Sequence, residues 1–200
     1  MLKKNCFLFL FAFGFLLFLA EGSFAQSMIL PKGSVAPMFT AKASQSGNEF
    51  NFSLKKALAK GPVVLYFYPS AYTGGCDLEA HTFAEYKDTF SAAGATIIGV
   101  SADDIQRLRS FSSDPAFCAG KFPVASDASG QIAATYGLQL KPPQPSVKDV
   151  RGEQVTHGFI PRTTFVINKD RKIAAVFSSD TDHLSPDEHV KKSLAIVKAL

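Results

Sequence analysis

Short apolar runs alternate along this chain with stretches of helical spacing. Residues 63 to 68 (VVLYFY) are unbroken, rich in β-branched and aromatic residues, and bounded by Pro62 and Pro69. This pattern predicts a buried central strand. The apolar residues that follow recur at helical spacing, at Leu78, Phe83, Tyr86 and Phe90. They predict a helix, and Gly94 is placed to end it.

The same alternation continues downstream. Residues 95 to 101 (ATIIGVS) predict a second buried strand, and Asp103 is expected to cap a helix that runs to about Ser113. This β-α-β-α order predicts an α/β domain with a central mixed sheet flanked by helices. Alternating residues on both sides of a Ser46-Gly47-Asn48 turn predict an N-terminal β-hairpin over about residues 39 to 52.

The last third of the chain contains a second predicted hairpin and a long connection. Residues 159 to 167 and 173 to 177 form two strand-like runs around a polar turn. Ser185, with Glu188 three residues on, then starts a final helix as a capping box. Between residues 140 and 159 the chain is polar and proline-rich, longer than compact connections usually are. This connection either shapes substrate access or partner docking, or is a surface loop without a function.

The first 25 residues have the pattern of a secretory signal peptide. A basic start at Lys3 and Lys4 precedes an apolar run of about 14 residues, and small residues precede the expected cleavage after Ala25. The alternative is a retained membrane anchor, but the run is shorter than the roughly 20 residues needed to span a bilayer. We therefore expect residues 26 to 200 to form one exported domain, periplasmic or secreted and not stably associated with a membrane.

Charge and composition limit the classes of function that this chain can have. The formal charge is +4, and residues 1 to 25 carry two Lys and one Glu, so the mature chain keeps +3 with both signs interspersed. Nothing indicates nucleic-acid binding. The four histidines have no ligand-like spacing, and no metal or cofactor is expected. Two cysteines remain, Cys76 and Cys118, an even pair that is compatible with a disulfide in an exported protein.

Cys76 is the strongest candidate for chemistry. It follows the predicted central strand at the start of a helix, where Thr73 is a natural N-cap. Unpaired backbone N–H groups and the helix dipole favour negative charge there, so the sequence predicts a thiolate, which is the nucleophilic form. The alternative is a small buried hydrophobic residue, which is the commoner role of a lone cysteine.

The residues around Cys76 resemble the peroxiredoxin family. Pro69, Thr73 and Cys76 match the family's Pro-x-x-x-Thr-x-x-Cys motif, and Arg162 stands in a matching Arg-x-Thr-Phe-like context. Glu79 is similar to the acidic residue that anchors this arginine in the bacterioferritin-comigratory, or peroxiredoxin Q, branch. The resemblance extends from about residue 35 to the C-terminus. It implies a thioredoxin-like fold that is preceded by the hairpin.

The resemblance also implies a mechanism. Cys76 would reduce hydrogen peroxide and small organic hydroperoxides, with Thr73 and backbone amides holding the peroxide, Pro69 shielding the thiolate and Arg162 stabilising charge. Cys118 would resolve the resulting sulfenic acid as an intramolecular disulfide, and a thioredoxin-like dithiol protein would reduce it. No cofactor would be needed, and the branch includes monomers and dimers. The alternative for Cys118 is a buried, inert thiol.

Two departures from the branch are visible. Gly74 stands where many members have proline, which makes the loop more flexible. His81 occupies the position of a resolving cysteine five residues after the first, which excludes that arrangement. Two other functions remain open. One is a protein thiol–disulfide oxidoreductase, although the usual Cys-x-x-Cys is absent; the other is a non-enzymatic domain with a structural Cys76–Cys118 disulfide.

Overall fold

A computed structural model describes residues 28 to 200 of the chain. The predicted signal peptide therefore lies outside the described residues. The strands are β1 (Thr40–Gln45), β2 (Asn48–Ser53), β3 (Val63–Phe67), β4 (Thr96–Ser101), β5 (Val124–Ser126), β6 (Thr163–Ile167) and β7 (Ile173–Ser178). The helices are α1 (Leu54–Leu58), α2 (Gly74–Ala92), α3 (Ile105–Ser113), α4 (Gln131–Thr135), α5 (Ser179–Asp182) and α6 (Pro186–Lys198). No helix between residues 28 and 200 is long and apolar enough to cross a membrane.

The seven strands form one mixed sheet in the order β2-β1-β5-β4-β3-β6-β7. β3, β4 and β5 are parallel neighbours, whereas β6 runs antiparallel to β3 with Leu65 opposite Phe165. This confirms the predicted central mixed sheet. β3 lies in its interior, and all five of its residues are buried, as its unbroken apolar run requires.

Successive β3 residues point to opposite faces of the sheet, so one strand contributes to two cores. Val64 and Tyr66 face the first core, where α2, α3 and α6 contribute Phe83, Phe111 and Val190. On the other face the strand packs against the second core, which α1 and α4 cover. α2 is thereby fixed against the sheet, directly after the end of β3.

The N-terminal hairpin is confirmed. β1 pairs with β2, with Gln45 opposite Asn48. Its two turn residues, Ser46 and Gly47, have φ of 51° and 77°. Both are in the left-handed region, as the favoured two-residue hairpin turn requires.

Several predicted boundaries were wrong. Asp103 does not cap α3; Asp104 does, accepting a hydrogen bond from the Arg107 backbone N–H at 2.7 Å. The short helix α4 begins only after Gly130, whose φ of 69° cannot continue a helix. Leu78 was expected on the buried face of α2 but is 46% exposed.

Residues 141 to 159 form a long connection that returns on itself, and we call it the excursion. Lys141 and Phe159 exchange two backbone hydrogen bonds of 2.9 Å at its base. Further along, Lys148 pairs with Gln154 in an isolated bridge. The predicted surface connection is therefore an ordered, closed loop, since its two ends are pinned together.

Candidate active site

Cys76 lies in the first turn of α2, immediately beyond the carboxyl end of β3. Its backbone N–H donates to the Thr73 carbonyl oxygen at 2.8 Å, and the residue is only 2% exposed. The thiol is therefore placed at the positive end of a helix but in a nearly closed environment. The strand-to-helix position predicted from the sequence is confirmed.

Arg162 precedes β6, the strand that pairs with β3 on the side opposite β4. Its Nη2 donates to Cys76 Sγ at 3.2 Å, and its Nη1 forms an ion pair with the Glu79 carboxylate. The Glu79 side chain is fully buried and that of Arg162 is 10% exposed. A single guanidinium thus bridges the thiol and a buried carboxylate, which fixes its orientation.

Thr73 occupies the N-cap position of α2, but its side chain makes no capping hydrogen bond. The hydroxyl instead donates to the Ser70 carbonyl oxygen at 2.8 Å. Because the only hydroxyl proton is used there, Thr73 can act toward a bound peroxide only as a hydrogen-bond acceptor. Thr73 is therefore the N-cap residue that was predicted, but its hydroxyl bonds the Ser70 carbonyl oxygen and not the helix backbone.

Pro69 and Arg162 line an open cleft of about 360 Å³, which therefore reaches the guanidinium that contacts the thiol. Its other walls come from the base of the excursion and the start of α5, and include Lys141, Phe159, Pro161 and Asp180. The mixture of apolar walls and a few polar groups is typical of a small-molecule site. This cleft is a route by which a small substrate reaches the guanidinium.

The pKa of the Cys76 thiol depends on more than its position at the helix N-terminus. Burial raises the pKa of the thiol above its ordinary value of 9.0, and Arg162 is the strongest influence that lowers it. The negative charge of Glu79 raises the pKa as well. The argument from the helix N-terminus did not include the cost of desolvating the charge, which acts against the thiolate. The thiolate depends on the guanidinium.

The pKa of the Glu79 carboxyl group is also shifted. Burial raises its pKa to about 7, although Arg162 opposes this shift by its charge and its hydrogen bond. Burial therefore makes the Glu79 carboxylate harder to ionise, and the ion pair with Arg162 favours its charged form. A buried carboxylate with a shifted pKa, linked to a thiol through a shared guanidinium, marks a functional site.

Cys118 lies between α3 and β5 and is completely buried in the same hydrophobic core as Cys76. Burial raises the pKa of its thiol well above 9.0. In the part of the chain described, both cysteines are free thiols. The two sulfurs share a core, but this conformation does not join them.

Sequence reasoning missed a polar cluster beneath the Cys76 loop. The buried Asp103 carboxylate accepts from the Ala71 backbone N–H at 2.8 Å and from the Ser70 hydroxyl at 3.2 Å. His157, from the excursion, places Nε2 2.8 Å from the same carboxylate. A signal was present, since Asp103 follows β4, and the ends of parallel neighbouring strands meet at one edge of a sheet.

His81 lies five residues after Cys76 on α2, and its polar contacts are with other residues. Its ring contacts the Ala116 carbonyl oxygen at 3.2 Å and the Glu85 carboxylate at 3.5 Å. Among the residues from Met28 onward, no three His, Cys, Asp or Glu side chains are grouped to hold a metal ion. The site that the structure assembles consists of a thiol, a guanidinium, a carboxylate and a threonine hydroxyl.

Comparisons with known proteins agree with this geometry. The profile of the AhpC/TSA family matches residues 32–176. A putative peroxiredoxin of Mycobacterium tuberculosis is 35% identical over 147 residues, which cover 74% of this chain and 84% of that protein. Chloroplastic peroxiredoxin Q of Triticum aestivum is 30% identical over 170 residues, covering 84% and 67%.

Solved structures give the same result. Peroxidoxin BcpB of M. tuberculosis superposes with a TM-score of 0.69 at 30% identity, covering 86% of this chain and 98% of that one. Peroxiredoxin Q of Xanthomonas campestris superposes with a TM-score of 0.59 at 28% identity, covering 79% and 89%. The sheet and its flanking helices are therefore the thioredoxin-like fold of these proteins. The chain belongs to the AhpC/TSA family, among the peroxiredoxins of the bacterioferritin-comigratory or Q type.

Proposed function

We propose that this thiol-dependent peroxidase reduces hydrogen peroxide and small organic hydroperoxides with Cys76 as the nucleophile. The observation that carries the proposal is the 3.2 Å contact between Cys76 Sγ and Arg162 Nη2, held by the buried Glu79. A disulfide with a purely structural role does not require a guanidinium on the sulfur or a buried carboxylate behind it. The structural alternative is therefore not favoured.

The first step is nucleophilic attack by the Cys76 thiolate on the terminal peroxide oxygen. A sulfur–oxygen bond forms and the oxygen–oxygen bond breaks, so the sulfur becomes a sulfenic acid. The other oxygen takes up a proton and leaves as water or an alcohol. Arg162 is placed to donate a hydrogen bond where negative charge develops, and Thr73 accepts one from the peroxide.

Cys118 is the proposed resolving residue. Its thiol attacks the Cys76 sulfenic acid, a sulfur–sulfur bond forms and the sulfenic oxygen leaves as water. A thioredoxin-like dithiol protein then reduces the disulfide by thiol–disulfide exchange. Both sulfurs are buried in one core, which supports the pairing. Because Cys76 is enclosed next to Arg162, the start of α2 must open for the second sulfur to reach it.

Peroxide consumption by the reduced mature protein tests the proposal. With a dithiol reductant, wild type should turn over and Cys76→Ser should be inactive. Cys118→Ser should accumulate a sulfenic acid on Cys76, detected by dimedone labelling and mass spectrometry. Arg109→Ala, on the exposed side of α3, is a matched surface control and should behave as wild type. Consumption that survives Cys76→Ser would refute the assignment.

We also propose that the enzyme is exported. The support is the sequence of residues 1 to 25, with its basic start, apolar run and small residues before Gln26. N-terminal sequencing of the protein recovered from a bacterial host should find Gln26 as the first residue. An intact N-terminus on membrane-associated protein would instead favour the anchor.

A further inference from the structure

The excursion is built against the loop that carries Cys76. The Val150 backbone N–H donates to the Tyr72 carbonyl oxygen at 2.8 Å. At a second point, His157 reaches the Asp103 carboxylate, which holds the Ala71 N–H. A segment that could have been an inert surface loop is therefore tied twice to the residues just before Cys76.

Tyr72 is the strained residue of that loop. Its φ is 59°, in the left-handed region that bulky side chains rarely adopt. It is nonetheless 3% exposed and directly precedes Thr73, the N-cap of α2. A residue in this conformation persists only where its surroundings hold it. The contacts on Tyr72 thus decide whether the start of α2 stays closed.

Arg151 supplies the main contact on the Tyr72 ring. Its guanidinium carbon lies 3.7 Å from the ring centroid, whereas that of Arg107 lies 5.3 Å away. The Arg151 guanidinium is held in turn by Asp149, whose Oδ2 accepts from Nε at 3.1 Å and from Nη2 at 2.8 Å. The Asp149 side chain is fully buried, and Arg107 also contacts the same oxygen at 2.8 Å. A fixed cation therefore covers the ring from the excursion side.

The Tyr72 ring also contacts the segment that carries Cys118. The ring meets Phe117 edge-on with centroids 5.3 Å apart, and Phe117 directly precedes Cys118. Tyr72 thus belongs to the Cys76 loop and packs against the segment that carries the second thiol.

We propose that the excursion is a clamp on the Cys76 loop, with Arg151 as its positioning residue. By covering Tyr72, Arg151 keeps the start of α2 closed and so limits how fast Cys76 pairs with Cys118. This inference rests on the proposed peroxidase function and on Cys118 as the resolving residue. It adds that Arg151, which does not line the substrate cleft, influences the disulfide step.

The two chemical steps should respond differently to loss of the clamp. The reaction with peroxide needs the closed site, which remains the major state if opening becomes easier by a modest factor. Disulfide formation proceeds from the open minor state, so its rate follows the population of that state. Removing a cation–π contact from a buried ring should raise the population of the open state about tenfold.

The test is single-turnover oxidation by hydrogen peroxide in wild type, Arg151→Ala, Arg151→Lys and the surface control Arg109→Ala. Sulfenic acid is trapped with dimedone and free thiols are alkylated after rapid quenching, so mass spectrometry gives both rates. In Arg151→Ala, disulfide formation should be about tenfold faster and sulfenic acid formation within about twofold of wild type. Arg151→Lys keeps the charge but not the planar guanidinium. Its rate of disulfide formation should lie between the rates of wild type and Arg151→Ala.

A residue with a merely structural role would change both steps together or neither. The clamp would be refuted if Arg151→Ala formed the disulfide at a rate within about twofold of the Arg109→Ala rate. If Arg151→Ala does not fold, an unchanged disulfide rate in Arg151→Lys would refute it instead. These results leave the peroxidase assignment intact, provided wild type oxidises normally. If wild type forms no sulfenic acid, or if Cys118→Ser does not prevent the disulfide, the proposed function fails first and the clamp fails with it.

Discussion

Replacing Arg162 with Met tests the central electrostatic argument. Met has a similar length and removes the positive charge that contacts Cys76 Sγ at 3.2 Å. Burial already raises the pKa of Cys76, and Arg162 is the strongest influence opposing that shift. Loss of the guanidinium should therefore move the thiol titration to higher pH and leave less thiolate at neutral pH.

The size of the effect follows from the contact. At an effective dielectric of about 20, a unit charge 3.2 Å from the sulfur contributes roughly 5 kcal/mol, or roughly four pH units. Glu79 offsets part of this, because its carboxylate raises the pKa of Cys76 and becomes protonated once its partner is lost. The rise in the pKa that remains should slow peroxide reduction at pH 7, by about tenfold for each pH unit.

The assay is the pH dependence of Cys76 alkylation by iodoacetamide, measured in a Cys118→Ser background with peroxide consumption in parallel. Wild-type reactivity should rise as pH increases towards the raised pKa, and the Arg162→Met curve should be displaced further to the alkaline side. Arg109→Met removes an arginine that is 54% exposed, and should titrate as wild type. If the two curves coincide, the guanidinium does not support the thiolate and the proposed mechanism is wrong.

Three further predictions concern the same region. Glu79→Gln removes a carboxylate that raises the pKa of Cys76, so the thiol should titrate at lower pH, and an unchanged midpoint would contradict this. Gly74→Ala should raise the free energy of unfolding in urea by about 0.5–1 kcal/mol, since a Cβ there meets nothing within 4 Å; a loss of stability would show that the position needs glycine. Burial lowers the pKa of His189 to about 4, below its unfolded value. Its contribution to stability is therefore present above pH 6.5 and is lost as pH falls towards 4, by roughly 3 kcal/mol. His189→Gln should flatten that part of the stability curve, and an identical curve would refute the assignment.

The sequence by itself determined the elements and the reactive position. Strand and helix periodicities are local, so the all-buried β3, the hairpin turn at Ser46 and the start of α6 at Ser185 could be predicted. Cys76 after β3 followed from the same local pattern. Arg162 and Glu79 were expected beside it through resemblance to a family, and the structure places both there.

Tertiary structure alone decided the electrostatics and the contacts between distant segments. The pKa of Cys76 reflects burial against a guanidinium 86 positions away in sequence, and no local pattern reports desolvation. Asp103 appeared to be a helix cap, yet it lies buried under the Cys76 loop with His157. The excursion gave no periodic signal, because its order comes from individual ion pairs and a ring contact at Tyr72 instead of from a repeating backbone pattern. Such contacts depend on where the fold brings two segments together, which spacing along one segment cannot specify.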